Sequence, residues 1–216
     1  MKRCLIIANG KKPSKQKINK LISLGYNFII CADGGAEAAR KMHIKPDVII
    51  GDLDSVSTET LKHFSDVEII RLHRQNDTDV EKCLKYAMRK KFREVMLVGA
   101  TGDRLDHMIC NLGIVIKFFQ KIRIHILHEE NILSCYNSNV KLPVEKNEII
   151  SLYGFGERCT ITGTGLKYAM KNKRLVFGKN ESTSNVAANK EVDLKIRNGY
   201  VFVIRKFKNV IKYGIV

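Results

Sequence analysis

The stretch "PDVIIGDLDSV", residues 46–56, is a short apolar run that ends abruptly in two aspartates. A proline followed by a continuous apolar run is typical of a strand that is buried on both faces. Such strands occur almost only in parallel sheets that carry helices on both sides. Asp52 and Asp54 follow at the strand's carboxyl end, where the loops of an open parallel sheet form a ligand crevice. The stretch therefore predicts an α/β fold with acidic residues at its ligand edge.

The same alternation of apolar strands and helices runs through the first 128 residues. The other predicted strands are "CLIIA" (4–8), "NFIICA" (27–32), "VEII" (67–70), "EVMLVGA" (94–100) and "IRIHIL" (122–127). The clearest helical period consists of Val80, Cys83, Leu84, Ala87 and Met88, which are spaced as one apolar face. Repeated strand–helix units predict a Rossmann-like, mainly parallel sheet domain over residues 1–128.

From about residue 129 the pattern changes to short strand-like segments separated by Gly, Asn and Ser, without a long helical period. These segments are "NILSCY", "NEIISLY", "CTITGTG", "RLVFG", "EVDLKIR" and "YVFVIRKF". They favour a small antiparallel β-domain over residues 129–216, either a sandwich or a barrel. Asn198-Gly199 predicts a two-residue β-hairpin turn.

The composition is basic, with 38 Lys and Arg against 22 Asp and Glu and a net charge of +16. Such a charge suits nucleic-acid binding, but the lysines are scattered and form no basic recognition helix or RNP-like aromatic pattern. We expect no nucleic-acid partner, although a basic nucleic-acid-binding or scaffold protein with an inactive nucleotide fold stays open as an alternative. No apolar stretch is long enough to cross a bilayer, so we expect no membrane partner and a cytoplasmic location.

Seven of the 22 acidic residues follow predicted strands of the parallel sheet. They are Asp33, Asp52, Asp54, Asp77, Asp79, Asp103 and Asp106. Because the carboxyl ends of parallel strands meet at one edge, these carboxylates should gather, which costs Coulomb energy unless a cation shares the site. Mg²⁺ suits such a site because it prefers carboxylate oxygens, water and substrate phosphates. Asp52 and Asp54, two apart on an extended backbone, should point to the same side.

The stretch "QNDTDVEKCL", residues 75–84, adds a possible phosphate site. If a helix begins near Asp77 or Thr78, Asp79 and Lys82 share one of its faces. A carboxylate for metal and an ammonium for phosphate can then reach the same ligand from one turn. The alternative is purely structural. Asp77 or Thr78 is then the N-cap of this helix, Asp54 or Ser55 caps a helix in "STETLKHF" (57–64), and Lys82 is a solvated side chain.

Two glycine-containing loops follow strands of the parallel sheet. Gly34 and Gly35 lie in "ADGGAEAA", and Gly99 and Gly102 lie in "GATGDRLDH". Glycine lets backbone approach a ligand closely, so both loops are candidates for contact with a ligand. Neither loop is a Walker A sequence or a strand-linked G-x-G-x-x-G, so a nucleotide would be held by another design. A tight strand-to-helix turn is the alternative explanation for the glycine pair.

Four motifs of the first domain and two of the second occur in a specific order. They are "ADGGAEAA", "PDVIIGDLDS", "QNDTDVEKCL" and "GATGDRLDH", then "GLKYAM" and "STSN". In this order the chain resembles the thiamine pyrophosphokinase family over almost its whole length. The resemblance implies an amino-terminal α/β domain, a carboxy-terminal β-sandwich, and a homodimer with active sites between subunits. It also implies Mg²⁺-dependent transfer of the β,γ-pyrophosphoryl group of ATP to the hydroxyl of thiamine, releasing AMP. A pyrophosphokinase acting on another heterocyclic alcohol, such as a hydroxymethylpterin, is the nearest alternative.

The resemblance also implies a role for each matching position. The metal and pyrophosphate centre would comprise Asp33, Asp52, Asp54 and Asp79, of which Asp52, Asp54 and Asp79 would be catalytic. The residues that would contact ATP are Gly34, Gly35, Gln75, Thr78, Lys82 and Arg104. Thiamine would be contacted by Asp106, His107, Tyr168, Ser184 and Asn185, with Tyr168 stacked on the pyrimidine ring and "STSN" forming a polar loop. Asp54 and Asp79 both stay open as the general base.

Overall fold

The computed structural model describes residues 1–73, 76–102 and 104–214. The chain divides into two compact units, Met1–Glu129 and Glu130–Val216. The described residues include no helix with the length and apolar character that crossing a membrane requires.

Unit 1 alternates strands and helices along its whole length. Its strands are β1 Arg3–Ile7, β2 Phe28–Ala32, β3 Val48–Gly51, β4 Glu68–Arg71, β5 Glu94–Val98 and β6 Arg123–His128. Its helices are α1 Lys15–Ser23, α2 Gly35–Lys41, α3 Thr58–His63, α4 Asp79–Arg89 and α5 Leu105–Lys117. Each strand that was expected in the first 128 residues is present to within three residues at either end.

The strands of unit 1 are parallel and lie in the order β6-β5-β1-β2-β3-β4. The chain moves outward from β1 through β2, β3 and β4, and then returns to the other side of β1 to form β5 and β6. The strand order thus reverses between β1 and β5, which is where open α/β sheets bind their ligands.

Helix α4 forms as its period predicts. Val80, Cys83, Leu84 and Ala87 are buried and Met88 is half-buried. Its N-cap is Thr78, whose Oγ1 accepts a hydrogen bond of 3.2 Å from the amide of Glu81.

Helix α3 is capped by a residue that the sequence did not single out. Ser57, rather than Asp54 or Ser55, accepts a bond of 3.1 Å from the amide of Thr60. Asp54 and Ser55 are therefore not used as helix caps.

Unit 2 is mainly antiparallel. Its strands are β7 Asn131–Tyr136, β8 Val140–Pro143, β9 Ile149–Phe155, β10 Thr160–Thr164, β11 Met170–Arg174, β12 Ser182–Val186, β13 Glu191–Arg197 and β14 Tyr200–Lys206, and they are followed by helix α6 Phe207–Lys212. Four of these strands are hydrogen-bonded in the order β12-β9-β14-β7, and the other four in the order β11-β10-β13-β8. Inward side chains of both arrangements share one core, as the alternate buried residues Val192, Leu194 and Ile196 of β13 illustrate. The predicted fold class, a mainly parallel α/β domain followed by an antiparallel β-domain, is confirmed.

The hairpin predicted at Asn198-Gly199 is wrong in its pairing. The two residues do form a short connection, and Asn198 adopts a positive φ of 57°, but β13 pairs with β8 and β10 while β14 pairs with β7 and β9. Both edges of each strand are already bonded, so the turn passes from one sheet arrangement to the other. Glycine is required because a Cβ at Gly199 would lie 2.5 Å from the carbonyl oxygen of Phe155.

Two further segments of unit 2 differ from expectation. The strand expected at "RLVFG" lies earlier, in "MKNKR", where β11 is an edge strand with mostly exposed side chains and no apolar alternation to mark it. The "STSN" motif, expected to be a loop, forms most of β12. Its pairing with β9 is irregular between Ser182 and Asn185, and Ser184 has a φ of 56°.

Candidate functional site

A cavity of about 470 Å³ opens at the carboxyl ends of the unit 1 strands. Its walls come from the loops after β1, β2, β3 and β5 and from the first turns of α4 and α5. It thus occupies the edge of the sheet at which the acidic residues were expected to gather.

Three of the four predicted metal-binding aspartates form a cluster beside this cavity. Asp33, Asp52 and Asp54 each offer a carboxylate oxygen, and these oxygens lie within 4.8 Å of one another. Asp33 is only 5% exposed, and its Oδ1 atom is buried without a hydrogen-bond partner. An unsatisfied buried carboxylate oxygen is costly unless a cation is bound, so the cluster has the donor chemistry of a Mg²⁺ site.

The backbone brings Asp52 and Asp54 together in a different way from the extended geometry that we expected. Leu53 between them adopts a left-handed φ of 67° and buries its side chain. This turn directs the Asp54 amide toward Asp52 Oδ1, at 3.4 Å, and Ser55 Oγ donates to Asp54 Oδ1 at 2.9 Å. The expectation of an extended segment was therefore wrong, because a β-strand geometry ends at Gly51.

Asp33 sits in strained and electrostatically unfavourable surroundings. Its φ is 44°, a conformation that costs a non-glycine residue about 1–3 kcal/mol. Burial is the main cause that raises the pKa of its carboxyl group; the nearby hydroxyl of Ser55 opposes this, and the charges of Asp79 and Asp54 add to it. Strain and charge repulsion at one residue are characteristic of a functional site.

The first turn of α4 supplies a basic group next to these acids. Lys82 is 5% exposed, and its Nζ donates to Asp79 Oδ1 at 2.8 Å. Both residues and the capping residue Thr78 line the cavity. Among the described residues, Asp79 is not part of the 4.8 Å carboxylate cluster. The alternative of a solvated Lys82 is thus wrong, because its ammonium is buried against Asp79.

The loop after β1 joins the loop after β5 in a wall of the cavity; the sequence indicated the second of these loops, but the first was missed. The Gly10 amide bonds the Gly99 carbonyl at 2.7 Å, and the Lys11 amide bonds the Thr101 carbonyl at 2.8 Å. Gly99 has a φ of 67°, and a Cβ there would lie 2.4 Å from the Ala8 carbonyl oxygen. Asn9, Gly10 and Thr101 all line the cavity. The signal was available, because "ANG" follows the first strand just as "AD" follows the second.

The glycine pair has a packing role. A Cβ at Gly35 would lie 2.0 Å from the Ile7 carbonyl oxygen, and one at Gly34 would lie 2.5 Å from Asn9 Nδ2. Within the described part of the chain, neither glycine belongs to the cavity lining. Their role in ATP binding stays a prediction.

The start of α5 carries a bidentate ion pair. Arg104 donates from Nε to Asp106 Oδ1 at 3.1 Å and from a terminal nitrogen to Oδ2 at 2.5 Å. This hydrogen bonding lowers the pKa of Asp106 to about 2. Arg104 and His107 line the cavity. Gln75, a predicted ATP contact, and Asp103 lie outside the described residues.

The remaining predicted substrate residues are in unit 2. Tyr168 is 63% exposed, so its ring does not contribute to the core of unit 2. Asn185 is 1% exposed, and its side chain bonds the backbone of Tyr168. The amide of Ser184 bonds Ser151 Oγ at 3.0 Å.

Two family models match the chain. The model described as "Thiamin pyrophosphokinase, catalytic domain" matches residues 20–127. The model described as "Thiamin pyrophosphokinase, vitamin B1 binding domain" matches residues 123–201. Together they span most of both units.

Curated relatives have the same family name. Thiamine pyrophosphokinase from Bacillus subtilis is 26% identical over 214 residues, which are 95% of this chain and 99% of that protein. Thiamine pyrophosphokinase 3 from Oryza sativa subsp. japonica is 29% identical over 188 residues, which are 73% of this chain and 70% of that protein.

Solved structures agree in fold. The crystal structure of thiamine pyrophosphokinase from Bacillus subtilis has a TM-score of 0.81 at 21% identity and covers 95% of this chain and 99% of its own. Thiamin pyrophosphokinase from Candida albicans has a TM-score of 0.83 at 17% identity, covering 94% and 88%. At such identities the likeness concerns the fold alone.

Proposed function

The chain belongs to the thiamine pyrophosphokinase family, which is a family of enzymes, and from this premise we propose that it transfers the pyrophosphoryl group of ATP to the hydroxyl of thiamine. The products are thiamine diphosphate and AMP, and the reaction requires Mg²⁺. The observation that carries the proposal is the cluster of Asp33, Asp52 and Asp54 beside a cavity that the buried Lys82 also lines.

The described residues fit a divalent cation. Three carboxylate oxygens lie within 4.8 Å of one another, and the buried Oδ1 of Asp33 has no hydrogen-bond partner. Asp33, Asp52 and Asp54 would hold Mg²⁺, and Asp79 is close enough to the cluster for its charge to act on Asp33. When bound, the ion would neutralise negative charge on the phosphate oxygens of ATP.

The phosphate chain of ATP would be oriented by residues at the start of α4 and α5. Lys82 is held by Asp79, so its ammonium needs little reorganisation when a phosphate enters the cavity. Arg104 keeps its charge and can bind phosphate as a planar fork, in exchange for or in addition to Asp106. Thr78 lines the same wall, and Gly34, Gly35 and Gln75 complete the predicted ATP contacts.

In the proposed reaction, the hydroxyl oxygen of thiamine forms a bond to the β-phosphorus of ATP. The bond from that phosphorus to the oxygen that bridges the α- and β-phosphates breaks, which releases AMP. The hydroxyl proton passes to a carboxylate, for which Asp54 and Asp79 are the candidates. Positioning of the two substrates supplies most of the rate enhancement.

The proposed thiamine end of the site comprises Tyr168, Ser184 and Asn185, and Asp106 and His107 of α5 are the other two residues proposed to bind thiamine. The exposed ring of Tyr168 offers an aromatic face on which a pyrimidine can stack. A homodimer with active sites between subunits and a cytoplasmic location are part of the same proposal. Light scattering on the purified protein tests the dimer, which requires twice the chain mass of 24.6 kDa.

The proposed activity is tested by incubating the purified protein with ATP, Mg²⁺ and thiamine, and separating the products by chromatography. AMP and thiamine diphosphate should appear in equal amounts, and neither should form without thiamine. Release of ADP instead of AMP would contradict pyrophosphoryl transfer. A hydroxymethylpterin added in competition distinguishes the alternative alcohol, because it should leave the yield of thiamine diphosphate unchanged.

A further inference from the structure

The backbone of Tyr168 is held by a buried side chain, although the ring of Tyr168 is exposed. Asn185 Oδ1 accepts from the amide of Tyr168 at 3.2 Å, and Asn185 Nδ2 donates to the carbonyl of Tyr168 at 2.9 Å. Asn185 is 1% exposed, whereas Tyr168 is 63% exposed. One carboxamide therefore pairs with both backbone groups of a single surface residue.

The same carboxamide has no capacity left for a ligand. Its Oδ1 also accepts from the amide of Val186 at 2.8 Å, and its Nδ2 also donates to Ser182 Oγ at 3.1 Å. An asparagine side chain has two donor hydrogens and two acceptor lone pairs, and all four are used. A direct bond from Asn185 to thiamine would require one of these bonds to break.

The bonds between Asn185 and Tyr168 extend a short antiparallel ladder between residues 166–167 and 186–187 beyond its last backbone hydrogen bond. Leu166 forms an isolated bridge with Ala187, and the amide of Lys167 bonds the carbonyl of Val186 at 2.7 Å. At Ser184 the left-handed φ of 56° interrupts the regular strand. The carboxamide of Asn185 then bonds Tyr168 in the place of the next backbone pair.

We propose that Asn185 is a positioning residue that fixes Tyr168 as a rigid aromatic platform for thiamine, rather than a residue that contacts the substrate. This inference rests on the proposed function and deepens it. The ring of Tyr168 is exposed, so burial of the ring does not hold it in place, and Lys167 Nζ lies over it at 5.7 Å from the ring centre. A stacking surface that is already ordered binds its ligand without the entropic cost of ordering it.

The absence of tryptophan from the chain makes the proposal directly measurable. Tyr168→Trp introduces a single tryptophan whose fluorescence anisotropy reports the mobility of the ring and whose quenching reports thiamine binding. We expect a high anisotropy in this variant. Adding Asn185→Ala should lower the anisotropy and weaken thiamine binding by about tenfold, as expected from the ordering of one side chain and its segment.

A matched control and a kinetic readout separate positioning from general destabilisation. Thr162→Ala removes another side-chain-to-backbone bond of unit 2, from the Asn172 amide to Thr162 Oγ1 at 2.9 Å, and should change neither the anisotropy nor the KM for thiamine. In the protein that retains Tyr168, Asn185→Ala should raise the KM for thiamine about tenfold and leave the KM for ATP unchanged. Combined with Tyr168→Ala it should add no further increase.

Three results would overturn the inference. They are an unchanged anisotropy in Asn185→Ala, an additive effect of the two alanine variants, and a freely mobile tryptophan in Tyr168→Trp with Asn185 intact. The last measurement decides the matter even if Asn185→Ala does not fold. Failure of the proposed function has a different signature, because the wild-type protein would then form no AMP with thiamine whatever the mobility of residue 168.

Discussion

Replacing Asp52 by asparagine should make the metal-free protein more stable and the Mg²⁺-loaded protein less stable. A carboxylate oxygen of Asp52 lies within 4.8 Å of one from Asp33 and one from Asp54. At this distance two like charges repel by about 3.5 kcal/mol at an effective dielectric constant of 20, and by about 0.9 kcal/mol in water. Because Asp52 is only half-buried, we take about 1–2 kcal/mol for the repulsion that Asp52→Asn removes.

Thermal unfolding followed by circular dichroism measures both effects. In EDTA, Asp52→Asn should melt about 2–8 °C above the wild type, given about 2–4 °C per kcal/mol for a chain of this size. Mg²⁺ at a hundred times its dissociation constant should stabilise the wild type by about 2.7 kcal/mol, and the variant by much less. The order of the two melting temperatures should therefore reverse as Mg²⁺ is added.

Glu59→Gln is the matched control, because it removes one negative charge from α3 in the same unit and outside the cluster. It breaks an exposed pair with Arg40 at 2.6 Å, so it should lower the stability slightly and leave the Mg²⁺-induced shift unchanged. If Asp52→Asn melts below the wild type in EDTA, or shows the same Mg²⁺-induced shift, the reasoning about the cluster is refuted.

Three other perturbations test separate parts of the structure. Burial and neighbouring charges raise the pKa of Asp33 above its unfolded value, so its favourable contribution to stability is present below the unfolded pKa and is lost as the pH rises through the folded pKa. In urea unfolding with EDTA present, the stability of Asp33→Asn relative to the wild type should therefore increase from roughly pH 3 to pH 7. A stability difference that does not change with pH would argue against this. Lys82→Met should lower kcat/KM for ATP by about a hundredfold with an unchanged circular dichroism spectrum, because the buried ammonium beside Asp79 is lost; an unchanged kcat/KM would remove Lys82 from the site. Arg205→Met leaves the buried Glu148 carboxylate without its charged partner at 2.7 Å, and it should lower the free energy of unfolding measured in urea by about 3–5 kcal/mol. A loss below about 1 kcal/mol would show that the pair is not buried as described.

The sequence was most informative for elements whose pattern of apolar residues matches the burial of their side chains. The strands of unit 1 are apolar throughout because helices cover both faces, so their runs mark them clearly. Helix α4 repeats its buried residues at Val80, Cys83, Leu84 and Ala87, and its length follows from that stripe. In unit 2, β11 has five residues of which four are exposed, and an edge strand of this kind carries no apolar pattern to recognise. The Asn198-Gly199 turn shows that turn chemistry fixes a local bend, while the free edges of the sheets decide which strands pair.

The sequence predicted which residue types form the site and which strands they follow. Asp33, Asp52 and Asp54 gather as the rule for parallel sheets requires. The left-handed φ of Leu53, which brings two of them together, has no sequence signal because leucine rarely adopts this conformation. The bonding of Asn185 to Tyr168 joins residues 17 positions apart, and it lies next to an irregularity of β12 at Ser184 that no sequence pattern marks.

Binding of Mn²⁺ as a probe for Mg²⁺, measured by electron paramagnetic resonance with α,β-methylene ATP present, tests the central claim most directly, namely that the clustered aspartates share a divalent cation. The wild-type protein should bind Mn²⁺, and Asp52→Asn should bind it at least about tenfold more weakly with an unchanged fold, since each ligand carboxylate contributes a full charge. Equal Mn²⁺ affinity in the wild type and Asp52→Asn would contradict the claim.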